Sequence, residues 1–140
     1  MDKNSLAHAR WECTYHIVII PKYRRKTMYG ELLRKEIGEI LRKLCEYKEV
    51  EVVSGSIGND HIHMCLKIPP KLAVSQFMGY LKGKSALMIF DKYPEHKKAN
   101  NRHFWARGYF VSTVGINKEV LKEYIKNQED ADIIEDKLIP

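Results

Sequence analysis

Two strand-like runs, residues 50–57 and 61–68, are separated only by Gly58-Asn59-Asp60, and Pro69-Pro70 closes the second. Three turn-forming residues between two such runs leave the chain little choice but a β-hairpin. The proline pair then stops it, because proline has no N–H to give to a ladder. Side chains alternate along a strand, so His61 and His63 share one face while Ile62 points to the other. Two imidazoles side by side on a rigid element can hold a divalent metal. The same pair can also sit on a solvated sheet face with no ligand at all.

The rest of the chain builds outward from that hairpin. Residues 11–20 are aromatic and β-branched and end at Pro21, which reads as a buried strand. Over residues 30–47, Leu33, Ile37, Ile40, Leu41 and Leu44 recur at steps of three and four, the spacing of an amphipathic helix. Val74, Phe77, Met78, Leu81 and Met88 place a second helix over residues 72–90. Residues 92–101 are polar and contain Pro94, a loop leading to a strand near residues 108–114. Gly115 breaks that strand. Asn117 is placed to cap a last helix, with Ile116 and Leu121 as a hydrophobic staple. The order predicts an α+β fold: a ferredoxin-like (RRM-like) βαββαβ antiparallel sheet with an additional C-terminal helix. In that topology the first and third strands are central neighbours, so the histidine pair lies mid-sheet on the face the helices leave open.

At 140 residues the chain is expected to form a single domain, residues 1–140, with a core that needs no staples. Cys13, Cys45 and Cys65 are odd in number and none is spaced as a metal-binding pair, which argues against a disulfide framework and a zinc ribbon. No apolar run approaches membrane-spanning length and no signal-peptide core is present, so a cytoplasmic location with no membrane partner is expected. The net charge of +6 is uneven. A short acidic tail, residues 129–140, carries five acids and one base, leaving 23 basic against 13 acidic residues, or +10, on residues 1–128. A body this basic favours a polyanion, most simply nucleic acid. The bases also cluster. Lys22, Arg24 and Arg25 follow the first strand, Lys82 and Lys84 share a helix, and Arg102 and Arg107 flank Trp105 in an aromatic-rich stretch. Guanidinium groups grip phosphates and exposed rings stack on unpaired bases, although Trp105 serves equally well as a core anchor.

In the last helix Tyr124 and Gln128 are four residues apart and share a face with Val120, Leu121 and Ile125. Tyr124 on such a stripe can be a core residue with its hydroxyl at the rim. Gln128 beside it is costly to bury without partners, which suggests that the helix packs over something polar. An amide oxygen suits a hard octahedral ion as a third ligand beside two histidines.

His61-Ile62-His63 followed by Tyr124-Ile125-Lys126-Asn127-Gln128 resembles the HUH endonuclease superfamily. More narrowly, it resembles the single-tyrosine transposases (transposase type A) of the smallest bacterial insertion sequences. Further matches are Tyr15-His16-Ile17-Val18, Pro21-Lys22-Tyr23-Arg24-Arg25, the segment from Phe77 through Lys82 and Lys84 to Ser85, and Phe104-Trp105-Ala106-Arg107-Gly108-Tyr109.

The resemblance implies a DNA transposase that cuts and rejoins single-stranded DNA at insertion-sequence ends folded into hairpins. Carried over, His61, His63 and Gln128 bind Mg²⁺ or Mn²⁺, which polarises the scissile phosphate. Tyr124 attacks the phosphorus, leaving a 5′-phosphotyrosine and a free 3′-hydroxyl. Lys22, Arg24, Arg25, Lys82, Lys84, Arg102, Trp105 and Arg107 are the expected DNA contacts. It also implies a homodimer in which the last helix of one subunit serves the histidines of the other, with Gly115 as the hinge. A phenol with an ordinary pKa of about 10 needs a base or local field to attack near neutrality. His16 is available for that task if the first strand lies beside the third. The competing reading is a single-stranded nucleic-acid-binding protein of the same fold that is catalytically inactive or repurposed. A tyrosine after the histidines, with glutamine four residues on, favours the transposase over replication initiators and relaxases.

Overall fold

The computed structural model describes residues 5–6, 9–22, 30–58, 60–94, 103–115 and 117–138. Two short strands, β1 (Ser5–Leu6) and β2 (Ala9–Arg10), pair into a small antiparallel sheet that the sequence patterning did not signal. The main sheet follows in the expected order: β3 (Thr14–Ile19), α1 (Glu31–Tyr47), β4 (Glu51–Ile57), β5 (Ile62–Lys67), α2 (Val74–Lys92), β6 (Phe110–Ser112) and α3 (Lys118–Leu138). Its strands lie β4-β5-β3-β6, all antiparallel, the βαββαβ arrangement with an added helix. β3 and β5 are central neighbours, as the topology requires.

Strand alternation divides the sheet into two unlike faces. Ile17 and Ile19 of β3 and Ile62, Met64 and Leu66 of β5 face α1 and α2, where Leu33, Ile37, Leu41, Phe77, Met78 and Leu81 complete the main core. The intervening residues, His16 and Val18 on β3 and His63 and Cys65 on β5, therefore occupy the opposite face. α1 ends where Glu49 takes a left-handed conformation (φ 58°), and the Val50 N–H turns back to the Cys45 carbonyl. In α2, Ile89 and Phe90 are the buried residues of the last turns and Met88 is exposed, against the expected spacing. Asn117 caps α3 as expected, its side-chain oxygen accepting from the N–H groups of Glu119 (2.8 Å) and Val120 (3.4 Å). Ile116, the other half of the expected staple, lies outside the described residues. The acidic stretch, expected as a tail, continues α3 as helix to Leu138. No described helix is long and apolar enough to cross a membrane.

Burial pushes the Cys45 thiol from its ordinary 9.0 up to about 12. The neutral thiol is the folded form, so its contribution is fully present below pH 9 and is lost as the unfolded chain ionises between those values. The expected slope from this group is about 1.4 kcal/mol of stability per pH unit. Alkaline melts of the wild type against Cys45→Ala check this: the variant is expected to lose stability less steeply above pH 9.

Candidate active site

The register of β3 on β5 builds the histidine face. Val18 lies directly across from His63, and His16 across from Cys65, so His16 is the diagonal neighbour of His63. Their rings meet, with His16 Nδ1 and His63 Nε2 3.3 Å apart and ring centroids 5.5 Å apart. One of these nitrogens carries the proton and the other accepts it. Burial, then the neighbouring His16 and His61, hold the His63 imidazole below its ordinary pKa, favouring the neutral ring a metal requires. His61 sits at the turn, where its carbonyl accepts from the Gly58 N–H (2.8 Å). Its Nδ1 is 2.8 Å from Asp60 Oδ1. Donating the Nδ1 proton to Asp60 leaves Nε2 as the free lone pair of a neutral ring, the carboxylate–histidine arrangement common behind metal ligands. A Cβ at Gly58 would lie 3.4 Å from His61 Cε1, in contact with the imidazole. The sequence reading gave Asp60 a place in the turn but no part in orienting His61; its position immediately before the histidine pair was the available signal.

α3 supplies the rest. Val18 of β3, Ile20 just beyond its end, Ala106 and Ile125 form a second buried cluster on the histidine face, with Phe110, Leu121 and Tyr124 packed against it. Leu121, Tyr124 and Ile125 of the expected stripe seat the helix on the sheet of its own chain, whereas Val120, expected on the same face, is exposed. The Tyr124 ring stands 5.7 Å from that of Phe110. Burial raises the Tyr124 pKa, and a side-chain hydrogen bond shared with Gln128 offsets part of the rise. Val18 touches this cluster and lies opposite His63, a separation of about 5 Å between directly paired Cβ atoms. Among the described residues, no three His, Cys, Asp or Glu side chains form a metal-holding group. The two imidazoles fit a divalent cation in donor chemistry.

With this arrangement in view, the comparisons with known proteins are decisive. The model of the IS200-like transposases matches residues 9–128. The chain belongs to the IS200-like transposase family. It is 55% identical over 132 residues to the transposase of insertion sequence IS200 from Salmonella typhimurium, covering 94% of this chain and 86% of that one. It is 31% identical over 122 residues to the ISDra2 transposase TnpA of Deinococcus radiodurans, covering 86% of each. The crystal structure of a candidate transposase from D. radiodurans R1 superposes with a TM-score of 0.80 at 25% identity, over 89% of this chain and 96% of that one. A REP-associated tyrosine transposase bound to a REP hairpin shares the fold at a TM-score of 0.55 and 10% identity, over 84% of this chain and 68% of that one.

The expected DNA contacts of this IS200-like transposase divide sharply. Trp105 is a core residue: it is 4% exposed, packs edge-on against Phe104 at 4.7 Å and donates its indole N–H to Ser85 Oγ at 2.9 Å. Its ring is not offered to a base. Lys22 is 2% exposed, fixed where its backbone N–H donates to the Phe104 carbonyl, and is likewise not a surface contact. Lys82 is half-buried and spends its ammonium on the carbonyls of Ala106 (2.8 Å) and Gly108 (2.6 Å). Lys84 and Arg107 are exposed. Arg24, Arg25 and Arg102 lie outside the described residues. Arg107→Ala and Lys84→Ala are each expected to weaken DNA binding and to reduce the slope of log affinity against log salt by about 1, measured by fluorescence anisotropy across a salt series.

Proposed function

We propose that this transposase cleaves and rejoins single-stranded DNA at hairpin-bearing insertion-sequence ends, with Tyr124 as the nucleophile. The supporting observation is that α3 is seated on the histidine face beside Val18, the residue directly opposite His63. On this reading the phenol of Tyr124, the amide of Gln128 and the imidazoles of His61 and His63 act together.

His61, His63 and Gln128 are the residues to hold Mg²⁺ or Mn²⁺. A divalent ion held there would supply Lewis-acid polarisation of the scissile phosphate. Asp60 orients the His61 ring, and His16 braces that of His63. The Tyr124 oxygen attacks the phosphorus and the bond from phosphorus to O3′ of the upstream sugar breaks, leaving the downstream strand as a 5′-phosphotyrosine and the upstream strand with a free 3′-hydroxyl once its oxygen takes up a proton. A 3′-hydroxyl attacking the phosphotyrosine reverses the exchange and returns the phenol. One phosphodiester is traded for another, so no nucleotide triphosphate is consumed. Because burial raises the Tyr124 pKa, the attacking phenol must give its proton to a base.

The test is a denaturing gel of the protein with labelled single-stranded DNA from the element's own ends, with and without divalent metal. A covalent protein–DNA band that requires the metal supports the reading. Binding with no band under any metal supports a protein kept for DNA binding alone.

The functional unit is proposed to be a homodimer whose sites are shared, the Leu121–Tyr124–Ile125 stripe of one subunit seated on the sheet of the other by a swing about Gly115. Mixing Tyr124→Phe with His61→Ala subunits is expected to restore adduct formation, since one composite site then has every residue. No restoration means that each helix serves its own sheet.

A further inference from the structure

Lys82 has a different task from the one its charge suggests. It projects from α2 toward the segment before β6, and its Nζ reaches two carbonyls on either side of Arg107, those of Ala106 and Gly108. Among the described residues no carboxylate pairs with it. Burial lowers its pKa, as for a cation drawn part-way out of water. A half-buried ammonium costs desolvation and loses freedom of the side chain, and among the described residues the two carbonyl oxygens that meet it lie on the backbone either side of Arg107.

The segment it grips is fastened elsewhere too. The Ala106 N–H donates to the Ile20 carbonyl at 2.7 Å, the Lys22 N–H to Phe104 at 2.8 Å, and Trp105 bridges to Pro21 and bonds Ser85 one turn along α2 from Lys82. Gly108 is left-handed at φ +74°, with open space where a Cβ would stand. Ala106, between these fastenings, is part of the floor on which Ile125 rests beside Tyr124.

We infer that Lys82 is a positioning residue: by clamping the Ala106 and Gly108 carbonyls it fixes the floor of α3, and through it the placement of Tyr124 over the histidine face. This rests on the proposed role of Tyr124. Displacement of a reacting group by 1 Å can cost on the order of 10²-fold in rate, so a loosened floor shows in the chemical step rather than in DNA affinity.

The experiment compares single-turnover adduct formation at saturating DNA, and the salt dependence of binding, for wild type, Lys82→Met, Lys82→Gln and Lys84→Ala. Lys82→Met is expected to slow the saturating rate at least about tenfold while leaving affinity and salt slope at wild-type values. Lys82→Gln, which keeps an amide donor without the charge, is expected to recover part of that rate and also leave the slope unchanged. A slope reduced by about 1 in either Lys82 variant, as expected for Lys84→Ala, overturns the inference and returns Lys82 to the DNA contacts. An unchanged saturating rate in Lys82→Met overturns it as well. If Lys82→Met does not fold, Lys82→Gln carries the same decision on the salt slope. Hydrogen exchange gives a readout independent of cleavage: the Ala106 amide is expected to exchange faster in the Lys82 variants. Unchanged exchange removes the clamp, whereas absence of adduct in the wild type strikes only at the proposed role of Tyr124.

Discussion

Tyr124→Phe is expected to abolish the covalent protein–DNA band, a loss of roughly 10⁴-fold or more, the scale seen when a nucleophile is removed. The same substitution is expected to leave DNA affinity within about twofold and the fold intact. The ring, not the hydroxyl, packs against Phe110 and the Val18–Ile125 cluster, and phenylalanine keeps it. What is lost is the hydroxyl and its bond with Gln128, about 1 kcal/mol for a typical hydrogen bond. Affinity and cleavage thus separate cleanly in one variant, and both are read on the same oligonucleotide by a native and a denaturing gel. A Tyr124→Phe protein that still forms the adduct removes Tyr124 as nucleophile. The wild-type rate is also expected to rise with pH through neutrality, because burial holds the phenol above its ordinary pKa and only the deprotonated oxygen attacks.

The architecture was readable because its signals are local. The turn at Gly58, the proline stop after Ile68, the three- and four-residue spacing of Leu33, Ile37, Leu41 and Leu44, and the Asn117 cap each depend on a few neighbouring residues. Strand alternation put His63 on the face away from the helices, whereas His61 falls just before β5, at the turn; helix periodicity put Tyr124 with Gln128. Side chains whose fate is decided across the fold were another matter. Trp105 lies in a basic, aromatic stretch that resembles a nucleic-acid surface, yet Ser85, twenty residues away on α2, supplies the oxygen that buries its indole N–H. Lys82 and Lys84 look equivalent in the sequence, but only Lys82 faces carbonyls that accept its ammonium. The β1–β2 pair is two residues a strand, too short for any alternation to register. The acidic run after Gln128 reads as a solvated tail by charge, and α3 nevertheless carries on through it.

His63→Ala is the companion test, and its expected effect is comparably large: loss of metal-dependent cleavage together with loss of measurable Mn²⁺ binding by calorimetry. His63 is singled out over His61 by its surroundings. It is the imidazole opposite Val18, in contact with His16, and the one whose pKa is lowered by burial and by both neighbouring rings. A depressed pKa keeps the ring neutral to lower pH than an ordinary histidine at 6.5. Mn²⁺ binding is therefore expected to persist below the pH at which a model imidazole protonates, then to fall as His63 gains its proton. The same shift bears on stability with a definite sign: the neutral ring is the folded form, so its contribution is complete above the unfolded value and is lost as pH drops through the folded one. Asp60→Asn tests the shell behind the pair. It leaves His61 in place but removes the carboxylate from Nδ1, and a loss of about 10- to 100-fold in metal affinity is expected from such a change. Unaltered Mn²⁺ affinity in His63→Ala would mean that His63 is not a metal ligand, and its role would then have to be sought in its contact with His16.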